Sequence, residues 1–69
     1  MLWTFSRDQR HVSCEIRLSL SGSGYELIVR HPNGSERLER FDDANTLNRR
    51  ALELQGHLLS QGWESHRPS

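Results

Sequence analysis

Two periods of apolar residues divide the chain. Val12, Cys14, Ile16, Leu18 and Leu20 alternate with Ser13, Glu15, Arg17 and Ser19. A period of two over that length predicts a strand with one buried and one wet face. Further on, Ala44, Leu47, Ala51, Leu54 and Leu58 recur at steps of three and four, which puts them on one stripe of a helix. The stretch from Phe41 to Trp63 reads as that helix with both ends marked. Asp42 or Asp43 is the N-cap, since a short carboxylate there accepts from backbone N–H groups that have no helical partner. Gly62 suits the left-handed residue just past a helix. Trp63 falls where an apolar residue folds back onto the last turn, here onto Leu58.

The same reasoning orders the strands. Leu2 to Arg7 predicts a first strand with Trp3 and Phe5 on one face. A two-residue turn at Asp8-Gln9 sets Arg7 against Arg10, Phe5 against Val12 and Trp3 against Cys14, so apolar residues meet across the pair. A four-residue loop at Ser21-Gly22-Ser23-Gly24 sets Leu20 against Tyr25, Leu18 against Leu27 and Ile16 against Val29. Tyr25 to Arg30 is the third strand, His31-Pro32-Asn33-Gly34 a turn, and Glu36 to Phe41 the fourth strand. Leu38 is expected on the core face. Phe41 has the opposite parity and would need a bulge, or the bend into the helix, to come inside. Glu36, Arg37, Glu39 and Arg40 suit an edge strand, where charge discourages pairing with other chains.

The fold class that follows is α+β, a four-stranded antiparallel β-meander packed on one C-terminal α-helix, with strand order 1-2-3-4. Its expected core joins Trp3, Phe5, Val12, Cys14, Ile16, Leu18, Leu20, Tyr25, Leu27, Val29 and Leu38 to Leu47, Ala51, Leu54 and Leu58. Residues 1–63 read as a single β4α domain. Residues 64–69 have almost no apolar content and read as a disordered tail.

Composition narrows the picture. The 69 residues, starting at Met1, read as a complete one-domain protein. So short a chain buries only about 60% of its unfolded surface. One cysteine allows no disulfide within the chain and no paired-Cys metal framework. Small domains without such staples often lean on a partner chain, so self-association is expected on size alone. All nine basic residues are Arg, against nine acidic ones. The absence of Lys reads as codon usage of a GC-rich genome rather than a chosen phosphate-binding surface. Zero net charge weakens a general nucleic-acid argument. No apolar run is long enough to cross a membrane, and the N-terminus lacks a signal-peptide pattern. A cytoplasmic location is the default expectation.

The candidate chemistry is thin. His11 and Cys14 have opposite strand parity and cannot share a ligand sphere or act as a nucleophile pair. The Ser-Gly-Ser-Gly loop opens a strand, whereas a phosphate loop opens a helix. Asp42 and Asp43 are explained by capping, and His31, His57 and His66 are scattered. No catalytic, cofactor or metal site is therefore expected. Two surfaces remain. The open face of the sheet should carry Arg17, Arg30 and Arg37 on successive strands, a candidate nucleic-acid face, with Glu15, Glu26 and Glu39 interleaved and Glu15 opposite Arg30. On the helix, Leu52 and Leu59 lie about 110–130° around from the main stripe, with Asn48 and Gln55 between. They either widen the core beneath Trp63 or Phe41, or form with Trp63 a second apolar patch for a partner.

Residues 25 to 63 also resemble a pattern of short bacterial proteins that form a family of unknown function. Tyr25-Glu26-Leu27, Pro32-Asn33-Gly34, Glu39-Arg40-Phe41-Asp42-Asp43, Leu47, Arg49-Arg50, Leu54, Leu58 and Gly62-Trp63 carry the resemblance. It implies a Pro-Asp-Gly-type turn, with Asn33 in the Asp position, a Phe-Asp-Asp helix start and a Gly-Trp ending. It brings no activity or binding residue. The expected function is thus a non-catalytic protein-interaction or structural module, homodimeric through the helix flank. The alternative is a nucleic-acid-binding module using the Arg-bearing sheet face.

Overall fold

Asp8 and Gln9 both sit at positive φ, 51° and 67°, the left-handed pair that a two-residue hairpin turn requires. They join β1 (Leu2–Arg7) to β2 (Arg10–Leu18) in the expected register, with Phe5 facing Val12 and Trp3 facing Cys14. The structure is a computed structural model in which residues 1–20 and 22–66 are described.

β3 (Tyr25–Arg30) pairs with β2 two residues away from the expected register: Leu18 faces Tyr25, Ile16 faces Leu27 and Cys14 faces Val29. The Ser19 N–H donates to the Gly24 carbonyl at 3.1 Å, so the hairpin closes one residue earlier than the loop composition suggests. A two-residue shift keeps every side chain on its face, so the apolar pattern is satisfied by both registers. Gly24, at φ +86°, lies where a Cβ would come within 2.7 Å of the Phe41 carbonyl oxygen. Leu18 consequently ends the strand and Leu20 leaves it. Both are exposed and do not join the core. Ser21, in the expected loop, lies outside the described residues.

β4 (Glu36–Phe41) follows a tight turn in which the His31 N–H donates to the Ser35 carbonyl at 2.9 Å and Gly34 takes φ +87°. The Asn33 Oδ1 accepts from the Ser35 N–H at 3.0 Å. This turn sets Tyr25 opposite Phe41, Leu27 opposite Glu39 and Ile28 opposite Leu38. The parity expected for β4 is therefore inverted. Phe41 packs against the core from an unbroken strand, and Leu38 lies on the open face beside Ile28. Leu38 and Phe41 are three apart, so one regular strand cannot turn both inward. The aromatic ring beside the helix takes the core. Arg37 and Glu39 change sides with it and belong to the helix-facing side.

Helix α1 (Ala44–Ser60) has both expected caps. Asp43 is the N-cap, and its Oδ1 accepts from the Thr46 N–H at 2.8 Å. At the other end Gly62 takes φ +90°, the Gly62 N–H donates to the Leu59 carbonyl and the Trp63 N–H to the Leu58 carbonyl, both at 3.1 Å. That pair of bonds returns the chain toward the last turn, and Trp63 packs on the core. The expected tail is then corrected in part. Glu64–His66 form a fifth strand, β5, antiparallel to β1, with Ser6 facing Glu64 and Thr4 facing His66. Residues 67–69 lie outside the described residues. The sheet order is β4-β3-β2-β1-β5.

The path of α1 decides what is buried. It starts beside the end of β4, level with Tyr25 and Leu18, and finishes where Glu64 meets Ser6 at the far end of β1. It thus crosses the sheet diagonally. Phe5, Val12, Cys14, Leu27 and Val29 are buried against Leu47, Ala51 and Leu58, with Trp3, Ile16, Tyr25 and Leu54 partly covered. Met1 and Leu18, at the uncovered corner of the helix-facing side, are exposed.

Candidate functional site

The helix flank is the first surface. Leu47, Ala51 and Leu58 point at the sheet and are buried, whereas Leu52 is 68% and Leu59 52% exposed. These two leucines do not widen the core. Being seven residues apart, they stand about 10 Å from each other along one face. On the opposite flank Arg50 reaches the β4 edge, its Nε 3.1 Å from Glu39 Oε1. At 100° per residue Leu52 and Leu59 lie about 160–180° from Arg50, so they face away from β4. Trp63 does not share their exposure; the turn after α1 folds it onto the core. Of the three residues of the expected patch, only Leu52 and Leu59 are offered to a partner.

The open face of the sheet is the second surface, and ion pairs run across it. Glu26 is buried there. Its two carboxylate oxygens lie 3.1 Å from Arg17 Nε and 3.5 Å from Arg40 Nε. Arg30 donates to Glu15 Oε1 at 2.9 Å and lies 3.3 Å from Glu36. The Arg30–Glu15 pair is diagonal across β2 and β3, since Glu15 faces Ile28 and Arg30 faces Ser13. The hydrogen bond from Arg30 holds the Glu15 carboxyl below its ordinary range, and Glu15 in turn raises the Arg30 guanidinium. Ile28 is buried on this face despite the absence of a covering helix. Leu38 faces it across the strand pair, and Arg17 and Arg30 line the same shallow hollow, where long arginine stems can cover apolar surface. Arg17 and Arg30 share this face as expected. Arg37 does not, because the β4 register puts it on the helix-facing side.

The remaining candidates stay apart. His11 faces Ser6 on the open side and is exposed, while Cys14 is buried opposite Trp3. Burial pushes the Cys14 thiol up to about 11, away from the thiolate that nucleophilic or redox chemistry uses. His11 and His31 line a shallow hollow between the two hairpin turns together with Arg10, Pro32 and Asn33. No group of three His, Cys, Asp or Glu is placed to hold a metal ion among the described residues. β5 brings together one pair that the sequence does not announce: His66 Nε2 lies 2.7 Å from Ser6 Oγ. The pair is exposed and ties β5 to β1. Only knowledge of the fifth strand could have joined residues 60 positions apart. No described helix is long and apolar enough to cross a membrane.

Comparison with protein-family models, with curated proteins and with solved structures gives no match for this chain.

Proposed function

We propose that the chain is a non-catalytic protein-interaction module that self-associates through the outer flank of α1. The observation that carries this reading is the exposure of Leu52 and Leu59 on one face of a helix whose other stripe already closes the core. Two leucines left in water on a chain this small are a source of association free energy, because covering them removes apolar area from solvent. The nucleic-acid alternative has weaker support. Arg17, Arg30 and Arg40 on the open face each lie within 3.5 Å of a carboxylate, so the face offers phosphates little free positive charge.

The test is solution mass against concentration, by sedimentation or light scattering, for wild type beside Leu52→Glu. Since Leu52 is exposed, the variant is expected to unfold within about 0.5 kcal/mol of wild type while losing mass at equal concentration. An unchanged mass curve would sink the reading. Nucleic-acid binding that falls on Arg30→Glu and weakens steeply with salt would replace it.

A further inference from the structure

We infer that the free edge of β4 pairs with the β4 edge of a second copy, antiparallel and centred on Leu38. This contact is separate from the α1 flank and does not rest on it. The backbone limits the choice of register first. The His31 N–H bonds the Ser35 carbonyl, and hydrogen-bonded pairs alternate along an antiparallel ladder. In the observed register Arg37, Glu39 and Phe41 therefore bond to β3. Glu36, Leu38 and Arg40 point their N–H and carbonyl groups out of the sheet edge. Two copies can join only where outward residues meet outward residues.

Side chains then select among the few alignments that remain. Centring on Glu36, Arg37, Glu39 or Arg40 sets that residue against its own copy. All four are like-charge contacts, which destabilise strand pairs. Centring on Leu38 sets Glu36 against Arg40, Arg37 against Glu39 and Leu38 against Leu38, each charged pair occurring twice about the two-fold axis. The charges that discourage a foreign strand thus favour one self-register.

Arg37 is the least committed of these charges: its side chain is 68% exposed and stands 4.0 Å from Glu39. Glu39 already accepts from Arg50 Nε at 3.1 Å, so its carboxylate would be shared between Arg50 and the Arg37 of the other copy. Glu36 and Arg40 are also exposed beyond their contacts to Arg30 and Glu26. Leu38 stands 48% exposed on the open face, where a second Leu38 would cover it. A two-fold axis normal to the sheet keeps both helices on one side, and Leu52 and Leu59 face away from it.

The experiment combines solution mass with cysteine cross-linking. Wild type should reach at least a dimer, and Arg37→Glu, which opposes Glu39 of the other copy twice, should raise the dissociation constant about tenfold or more. Across a hydrogen-bonded antiparallel pair the Cα atoms lie about 5.5 Å apart, within disulfide reach. Leu38→Cys should therefore form a disulfide-linked dimer on mild oxidation. Arg40→Cys should not, its copy being about 13 Å away along the strand. Cys14 is buried and does not compete. A wild type that stays monomeric at millimolar concentration, or equal cross-linking at positions 38 and 40, overturns the pairing. Loss of association in Leu52→Glu alone also overturns it and leaves the α1 reading standing; loss in Arg37→Glu alone does the reverse.

Discussion

Single residues here are explained by their neighbours across the sheet more than by their own chemistry. Cys14 is an example. It is one of five alternating apolar residues; Trp3 and Val29 face it on the adjacent strands, and it belongs to the same buried cluster as Val29. With its pKa raised from 9.0 to about 11 by burial, the folded chain holds this proton more tightly than the unfolded one. Folding stability is therefore unaffected by Cys14 below pH 9 and falls as pH rises from 9 toward 11. The loss expected over that range is about 1–3 kcal/mol. Urea titrations at pH 7 and pH 10.5 on wild type beside Cys14→Val check this: the variant should lack the part of the alkaline loss that belongs to the thiol. Thiol labelling of native protein should likewise be slow until it unfolds.

At the scale of elements, the helix was the most legible part of the sequence. Its stripe, its N-cap and its glycine ending are local signals, and each is made by residues within a turn or two of the helix itself. Asp43 illustrates the pH consequence. Hydrogen bonds from the Thr46 backbone and hydroxyl hold its carboxyl below the ordinary value of 3.8. The stabilisation it provides is present above that value and is lost as pH falls through the lower folded-state value. Asp43→Asn keeps a capping oxygen and should flatten the acid end of the stability profile. Asp43→Ala should lower the urea midpoint at pH 7 with an unchanged slope. The strands were less legible. The β1–β2 register could be read because Asp8-Gln9 leaves one way to close the turn. The β2–β3 register could not, because a shift by two residues leaves both faces unaltered. The β4 assignment failed because two apolar residues of opposite parity compete for one face.

At the scale of the whole molecule, the diagonal helix and the fifth strand set which surfaces remain open. α1 ends at the β1 side, so the chain that leaves it runs back along β1 and closes that edge. The Met1 N-terminus and carbonyl both bond to Ile16, so the odd residues of β1 are committed to β2. Thr4 and Ser6 must then bond to β5. Truncation after Trp63 is expected to speed amide exchange at Thr4 and Ser6 while Trp3 and Phe5 stay protected, as hydrogen exchange followed by NMR would show. Equal protection in the truncated chain would mean that β5 does not hold that edge. With β1 covered, β4 is the long edge left free among the described residues, and the two proposed contacts, at that edge and at the α1 flank, lie on opposite sides of the molecule.

The sequence by itself determined what depends on neighbours along the chain. It specified the number of hairpins, the α+β class, the helix with its caps, and the separation of His11 from Cys14 by strand parity. It also marked Leu52 and Leu59 as lying off the main stripe. Tertiary structure decided what depends on closure in three dimensions. It chose between two registers that bury the same faces, and it took Phe41 inward at the expense of Leu38. It moved Arg37 off the open face and recruited Glu64–His66 to the sheet. The physical reason is common to all four. A strand's period tells which residues share a face, but which face is buried, and against which neighbour, is settled only when the helix and the strands compete for the same core.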